Sequence, residues 1–389
     1  MLTRRRFTLS LVTFGLVAIS ATGSTGCEKK SDDLVVGAFL SLSGSDSTFG
    51  TDTRDGIELA LDETNKAGGV KGKKVKVLYE DDKSLPQEAS NKVRQLIDRD
   101  NVLAILGEVA SSRTMSGGLI ANTKKVPLVT PSSTAVEVTK DRDYVFRVCF
   151  TDDQQGDVAA RFVWETLKKK KAGLFYAAQD NYSSGLAASF KEHFKKLGGE
   201  IVVDKGYQKN ETNFTTYLSE LKSKEPEILF VPVYYNEMVQ IARQAKQAGI
   251  PGTMFLGGDG WDSHELIDGA GAELEGAYFT NHYAPDVPWP NSASFVAAYK
   301  AKYTYQGKPK EPTSLAAQGY DAAKLLFDAM KRAPEPTREA IKVALSETKD
   351  FAGATGSLTI DKNHNANKPI VVVQIKEKKF RYTAQLMSQ

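Results

Sequence analysis

Two glycine pairs, Gly68-Gly69 and Gly198-Gly199, stand about 130 residues apart, and each ends a helix-patterned segment and precedes an apolar one. Around each pair the order is the same: helix, Gly-Gly, strand, helix, strand, helix, strand. In the first copy an apolar strand over 34–40 leads into a helix over 52–66, where Ile57, Leu59, Ala60 and Leu61 supply the apolar positions. Then come a strand over 75–79, a helix over 87–98 with Val93, Leu96 and Ile97 as its stripe, a strand over 102–106, a helix over 114–123 and a strand over 126–129. The second copy reads strand 173–177, helix 185–196, strand 201–203, helix 217–222, strand 228–231, helix 238–248 and strand 254–256. A duplicated alternation of this kind fits two similar α/β lobes, each a parallel sheet flanked by helices, better than one long sheet. Helical connections imply right-handed crossovers.

The residues beyond 282 are too few for a third lobe. Helices are predicted over 295–303, 316–330 and 337–345, then a hairpin of strands over 356–360 and 370–375. These elements are expected to pack back on the two lobes. The partition predicted is 34–149 with 283–355 in the N-terminal lobe and 150–282 with 356–389 in the C-terminal lobe. Several crossovers would then form a hinge, with a ligand cleft between the lobes.

The first residues carry a different message. Arg4-Arg5-Arg6 precedes an apolar run over 7–19, and Ser24-Thr25-Gly26 precedes Cys27. That order is a bacterial export signal over 1–26 with lipidation at Cys27, and 28–33 reads as part of a polar tether over 27–33. The run is short for a membrane span. Thr3-Arg4-Arg5-Arg6-Phe7 resembles a twin-arginine signal, implying export in the folded state. The expected location is the periplasm or outer face of a bacterial membrane, held by the lipid. Without residues 1–26 the chain has 48 Lys plus Arg against 48 Asp plus Glu, so no basic surplus argues for nucleic acid. Cys149, in the apolar stretch 144–150, is expected to be a buried inert thiol.

In open α/β sheets ligands bind beyond the carboxyl ends of the strands. In the first lobe those ends bring hydroxyls to helix starts: Ser111, Ser112 and Thr134 can donate to an anion beside free backbone amides, although N-capping alone also uses such residues. In the second lobe they bring Tyr182, Tyr234 and Trp261, able to cover an apolar group, and Asp259 between Gly258 and Gly260, able to meet a cation at close approach. An anion seat facing a carboxylate recognises a zwitterion. Glu108 and Arg113 lie near by sequence and could favour a polar side chain, although Arg113 reads at least as well as a solvated surface residue.

These strand ends resemble the periplasmic leucine/isoleucine/valine-binding protein family, the solute receptors of branched-chain amino acid ABC transporters. The likeness rests on Gly37-Ala38-Phe39-Leu40-Ser41-Leu42-Ser43-Gly44, on Asn65-Lys66-Ala67-Gly68-Gly69-Val70-Lys71-Gly72, on Val129-Thr130-Pro131-Ser132-Ser133-Thr134 and on Phe255-Leu256-Gly257-Gly258-Asp259-Gly260. The resemblance implies that Ser111 and Thr134 hold a ligand carboxylate, that the Ser132 carbonyl and Asp259 hold its ammonium, and that Tyr182, Tyr234 and Phe49 lie against it. Some relatives carry Glu where Asp259 stands, and some have cysteines at positions matching Ser84 and Ala110.

The function implied is a lipid-anchored receptor that closes on an amino acid or similar small zwitterion and presents it to an ABC permease, as a monomer, without metal or cofactor. A sensor of amides or carboxylates on the same fold is one alternative. A hydrolase in the same cleft is another, but the sequence holds no Gly-x-Ser-x-Gly elbow, His-Glu-x-x-His or P-loop. His193 and His364 are expected in solvated positions; His264 and His282 could approach the cleft, with surface loops as the favoured setting.

Overall fold

The computed structural model describes residues 33–208 and 211–389; the signal, Cys27 and most of the tether lie outside the described residues. The first sheet is built from β1 (Leu34–Leu40), α1 (Ser47–Lys66), β2 (Val75–Asp81), α2 (Pro86–Asp98), β3 (Ile105–Gly107), α3 (Ser111–Thr123), β4 (Leu128–Thr130) and β5 (Val145–Arg147). Its strands run parallel in the order β2-β1-β3-β4-β5. The chain then enters α4 (Asp152–Arg161), β6 (Lys171–Ala177), α5 (Asn181–Lys196), β7 (Glu200–Tyr207), α6 (Thr215–Ser223), β8 (Ile228–Phe230), α7 (Tyr235–Gln247), β9 (Phe255–Gly257), α8 (His264–Ala270) and β10 (Tyr278–Asn281). Here the parallel order is β7-β6-β8-β9-β10, the topology of the first lobe repeated.

The two Gly-Gly pairs end α1 and α5 as expected. Gly68, Gly69 and Gly198 have φ of +96°, +75° and +93°, a region open to glycine at little cost. A Cβ on Gly199 would meet the Phe194 ring at 2.4 Å. Among the elements that escaped the sequence are β5 and β10, which have three and four residues and carry little periodicity. Helix α4, also missed, starts at a capping box in which Thr151 and Gln154 satisfy each other's backbone amides.

After β10 the chain returns to the first lobe. There α9 (Ser292–Lys302), a small hairpin of β11 (Thr304–Tyr305) and β12 (Lys308–Pro309), α10 (Ser314–Arg332) and α11 (Arg338–Ser346) come in turn. Helices α1 and α10 touch backbone to backbone, since a Cβ on Gly56 would stand 1.9 Å from the Ala316 carbonyl oxygen. The predicted late hairpin does not form. Instead β13 (Phe351–Gly353), β14 (Gly356–Ile360) and β15 (Ala366–Asn367) pair among themselves, while β16 (Ile370–Lys376) joins the second sheet between β10 and β17 (Lys379–Leu386), antiparallel to both. The reason is burial: Ile370, Val371, Val372 and Val373 are all inaccessible, and only an interior strand position covers both faces. No helix of the described residues is long and apolar enough to cross a membrane.

Candidate functional site

The two sheets point their carboxyl ends at one another, and a narrow cavity of about 240 Å³ lies between them. Val109, Ser111, Ser132 and Thr134 line it from the ends of β3 and β4; Tyr182, Tyr234, Asp259 and Gly260 line it from the second lobe; Phe49 from α1 and Leu315 from α10 complete it. The chain thus gathers seven residues singled out from sequence: Phe49, Ser111, Ser132, Thr134, Tyr182, Tyr234 and Asp259. Ser112 and Gly258 do not line the cavity. Ser112 is one residue further round α3 and half-buried, and Gly258 lies under Tyr182, whose Oη would be 2.5 Å from a Cβ there. Trp261 is core: it is inaccessible and donates its indole N–H to the Val231 carbonyl at 3.0 Å.

The first-lobe wall offers donors. Ser111 Oγ accepts the Ala135 amide at 3.1 Å, so its own proton remains to be given. The Ser132 hydroxyl is buried and has no partner among the described residues, and the buried Thr134 hydroxyl faces the Asp152 carboxyl. Helix α3 begins at Ala110, which has no side chain to cap it, so the first-turn amides add to an anion seat. This wall is held from behind. The Glu108 carbonyl accepts the hydroxyls of Thr114 at 2.9 Å, Thr130 at 2.5 Å and Ser133 at 3.0 Å. The inaccessible Arg147 donates to the carbonyls of Ser133 at 2.8 Å and Ala135 at 2.9 Å, which anchors the loop carrying Ser132 and Thr134.

Glu108 and Arg113 turn out to serve each other rather than a ligand side chain. Arg113 is buried, with Nε 2.9 Å from Glu108 and Nη1 2.7 Å from Asp46. Ser41 Oγ donates to Asp82 at 2.8 Å or Glu108 at 3.0 Å, and burial together with Glu108 pushes Asp82 up to about 8.

The second-lobe wall is acidic and aromatic. Asp259 is 7% exposed; its Oδ2 meets His282 Nε2 at 3.1 Å and its Oδ1 has no partner among the described residues. Tyr182 and Tyr234 stack with centroids 5.1 Å apart, and Tyr182 Oη accepts the Gly260 amide at 3.0 Å. Behind Thr134 sits Asp152, whose carboxyl is pushed well above the usual range by burial, with Asp259 adding to the effect.

The lobes touch across the cavity mouth. Tyr235 Oη donates to the Ser45 carbonyl at 3.2 Å or to Thr48 Oγ1 at 3.1 Å, and Asn236 Nδ2 reaches Asp46 at 3.4 Å. Phe49 packs on Tyr234 and Tyr235 at 5.6 and 4.9 Å between centroids. These contacts bridge the two walls of the cavity.

Sequence reasoning missed Asp152 and Leu315, and allowed His282 near the cleft only as the less favoured setting. His282, for which the sequence favours a surface loop, is inaccessible and packs at a tilt on Phe150 with centroids 4.0 Å apart. It comes directly after a four-residue strand without clear periodicity, so nothing local marked it as buried. Leu315 comes from a helix some 200 residues beyond α3, and only the return of the chain brings it in. Cys149 is buried as expected, and burial pushes its thiol up to about 12.

A wider cavity of about 1020 Å³ lies at the seam between 311–313, α8 and the β16–β17 turn. Several of its charged groups are engaged elsewhere: Lys300 with Glu311 at 2.5 Å, Asp262 with Asn281 at 2.9 Å, Asp286 with the Tyr382 amide at 3.1 Å. Converging unpaired polar atoms mark the smaller cavity as the site.

Comparison with known proteins agrees with this geometry. The family model for periplasmic binding protein matches residues 33–380. The leucine-, isoleucine-, valine-, threonine- and alanine-binding protein of Pseudomonas aeruginosa is 28% identical over 347 residues, 88% of this chain and 90% of that one. The leucine binding protein LivK of Thermotoga maritima is 37% identical with a TM-score of 0.86, covering 91% of this chain and 99% of its own. LivJ of Streptococcus pneumoniae, a branched-chain amino acid transporter substrate binding protein solved with isoleucine, is 34% identical with a TM-score of 0.84 over 91% of this chain and 99% of its own. By that match and by its two lobes of one topology, the chain belongs to the periplasmic binding protein family and resembles its Leu/Ile/Val-binding members.

Proposed function

We propose that this protein is the extracytoplasmic solute receptor of an ABC importer and binds an amino acid with an apolar side chain by lobe closure. The observation that carries this reading is the opposite polarity of one small cavity. Hydroxyls of Ser111 and Thr134 and the start of α3 stand on one wall, and Asp259 stands on the other. A carboxylate meets the first and an ammonium the second, with the Ser132 carbonyl as a further acceptor. Val109, Leu315, Phe49 and the stacked tyrosines leave an apolar space for the side chain, and relatives named for leucine, isoleucine and valine support that choice.

Each lobe supplies half of the ligand's partners, so the ligand favours the closed state by differential affinity. The contacts of Tyr235 and Asn236 with residues 45–48 would add to that state. In this reading the partition of the chain between lobes is 34–149 with 283–355 and 150–282 with 356–389, and the crossovers between them act as the hinge. Residues 1–26 direct export by the twin-arginine route, and a lipid on Cys27 holds the receptor at the membrane beside its permease.

Calorimetry with leucine and with 4-methylpentanoate, the same skeleton without the amine, tests the reading. Leucine is expected to bind at least ~30-fold more tightly, since a buried carboxylate without its cation is strongly disfavoured. Equal affinities would remove the ammonium seat and favour a carboxylate receptor.

A further inference from the structure

Behind Asp259 stands a side chain that the zwitterion reading does not use. His282 lies just past β10, is inaccessible to solvent, and points Nε2 at Asp259 Oδ2 over 3.1 Å. Its other nitrogen, Nδ1, has no partner among the described residues. That asymmetry identifies the tautomer. A carboxylate accepts, so Nε2 carries the proton; a second proton on Nδ1 would be a buried donor without an acceptor. The ring packs at a 31° tilt on Phe150 with centroids 4.0 Å apart, and its own backbone amide is bound to the Asn281 side chain at 2.8 Å, so the donor direction is set by packing. With Oδ2 engaged, the unpartnered Oδ1 is the oxygen left for the cavity that Asp259 lines.

We propose that His282 is the positioning residue of the ammonium seat: its neutral ring orients Asp259 toward the ligand, and its protonation competes with the ligand's own cation and releases it in acid. This rests on the reading of Asp259 as the ammonium partner. The competition arises from charge. A neutral His282 leaves the seat with the full charge of Asp259. A protonated ring supplies a cation 3.1 Å from the same carboxylate, and an ammonium arriving at Oδ1 then meets a positive neighbour instead of an uncompensated anion.

The other charged groups around the ring are few. Asp262, on the same turn as Asp259, faces it but is committed to Asn281 and the Ser314 amide at 2.9 and 2.6 Å. Lys368, from the segment before β16, also faces it and opposes its protonation, as burial does more strongly. Lys368 itself titrates at about 8, so below neutral pH it is a constant cation. Asp152 is not among the groups that act on the ring; burial first and then Asp259 hold its own carboxyl well above the usual range.

The test is leucine binding by the full chain between pH 5 and 8, measured by calorimetry for the wild type, His282→Gln and His282→Leu. Gln keeps a donor at the Nε2 position and does not titrate; Leu keeps bulk and loses the donor. The wild type is expected to bind evenly above neutrality and to weaken in acid, approaching ~10-fold per pH unit where one proton is displaced. His282→Gln is expected to bind within about threefold of the wild type at pH 7.5 and to be flat through the acid range. His282→Leu is expected to lose roughly 10-fold at every pH, the scale of one hydrogen bond to a charge. Melting temperatures of the unliganded variants control for folding, and the Gln variant carries the test should the Leu variant not fold. An acid loss in His282→Gln equal to the wild type's overturns the proposal and points to Asp152 or Asp259 itself. A wild type that binds evenly throughout overturns it too. If Asp259→Asn leaves leucine binding unchanged, the ammonium seat fails as a whole; if that variant is impaired while both His282 variants behave as wild type, only the role of His282 fails.

Discussion

Replacing Asp259 by Asn removes one charge and almost nothing else. The side chain is 7% exposed, so its carboxylate sits where water contributes little. Oδ2 already has His282 as donor, and the Asn carbonyl can take over that bond at the same 3.1 Å. Oδ1 is unpartnered among the described residues and is the atom a ligand ammonium would meet. Breaking a buried ion pair by deleting one partner costs about 3–5 kcal/mol. Should the amide instead turn its oxygen to the ligand, a neutral hydrogen bond returns about 0.5–1.5 kcal/mol. The expected loss in leucine affinity is therefore about 2–4 kcal/mol, roughly 30- to 700-fold. The unliganded protein should be no less stable, since a buried charge has been removed. Titration calorimetry with leucine and with 4-methylpentanoate reads the first effect, and thermal unfolding of the free protein reads the second. The two ligands should converge in affinity on the Asn variant, because only one of them has lost a partner. Leucine binding within threefold of the wild type would refute the reasoning, and so would an equal loss for both ligands.

Two stability predictions concern the frame around the site. Gly56→Ala puts a methyl group 1.9 Å from the Ala316 carbonyl oxygen, where backbone and not a flexible side chain must move. Prising α1 from α10 should cost about 3 kcal/mol despite the better helix propensity of Ala, and an unchanged urea midpoint would refute the close approach. Lys368 is buried just before β16, bonded to Thr355 and Gln318, and burial pulls its amine down to about 8 although Asp321 opposes this. Between pH 8 and 10.5 the unfolded lysine holds a proton that the folded one has lost, so stability gains with rising pH across that window. The wild type should gain about 3 kcal/mol relative to Lys368→Met from pH 8 to 10.5, measured by urea unfolding; parallel pH profiles would contradict the assignment.

The duplicated order of helices and strands, the glycine pairs at the ends of α1 and α5, and the chemistry at the strand ends were all legible in the chain itself. Periodicity, turn residues and strand-end polarity are local properties, carried within a dozen residues, so Ser111, Thr134, Tyr182 and Asp259 could be placed on the cleft without coordinates. What only the folded molecule decided involves residues far apart in the sequence. Leu315 reaches the cavity because α10 packs on α1; His282 reaches Asp259 because β10 lies beside β9; β16 leaves its expected hairpin because its valines need cover on both faces. Arg113 reads from sequence as a solvated surface residue or one available to a ligand, but Asp46, 67 residues away, is bonded to it in the fold. Such pairings depend on which surfaces two lobes bring together when they close, and burial of that kind leaves no repeat or spacing for a linear reading to detect.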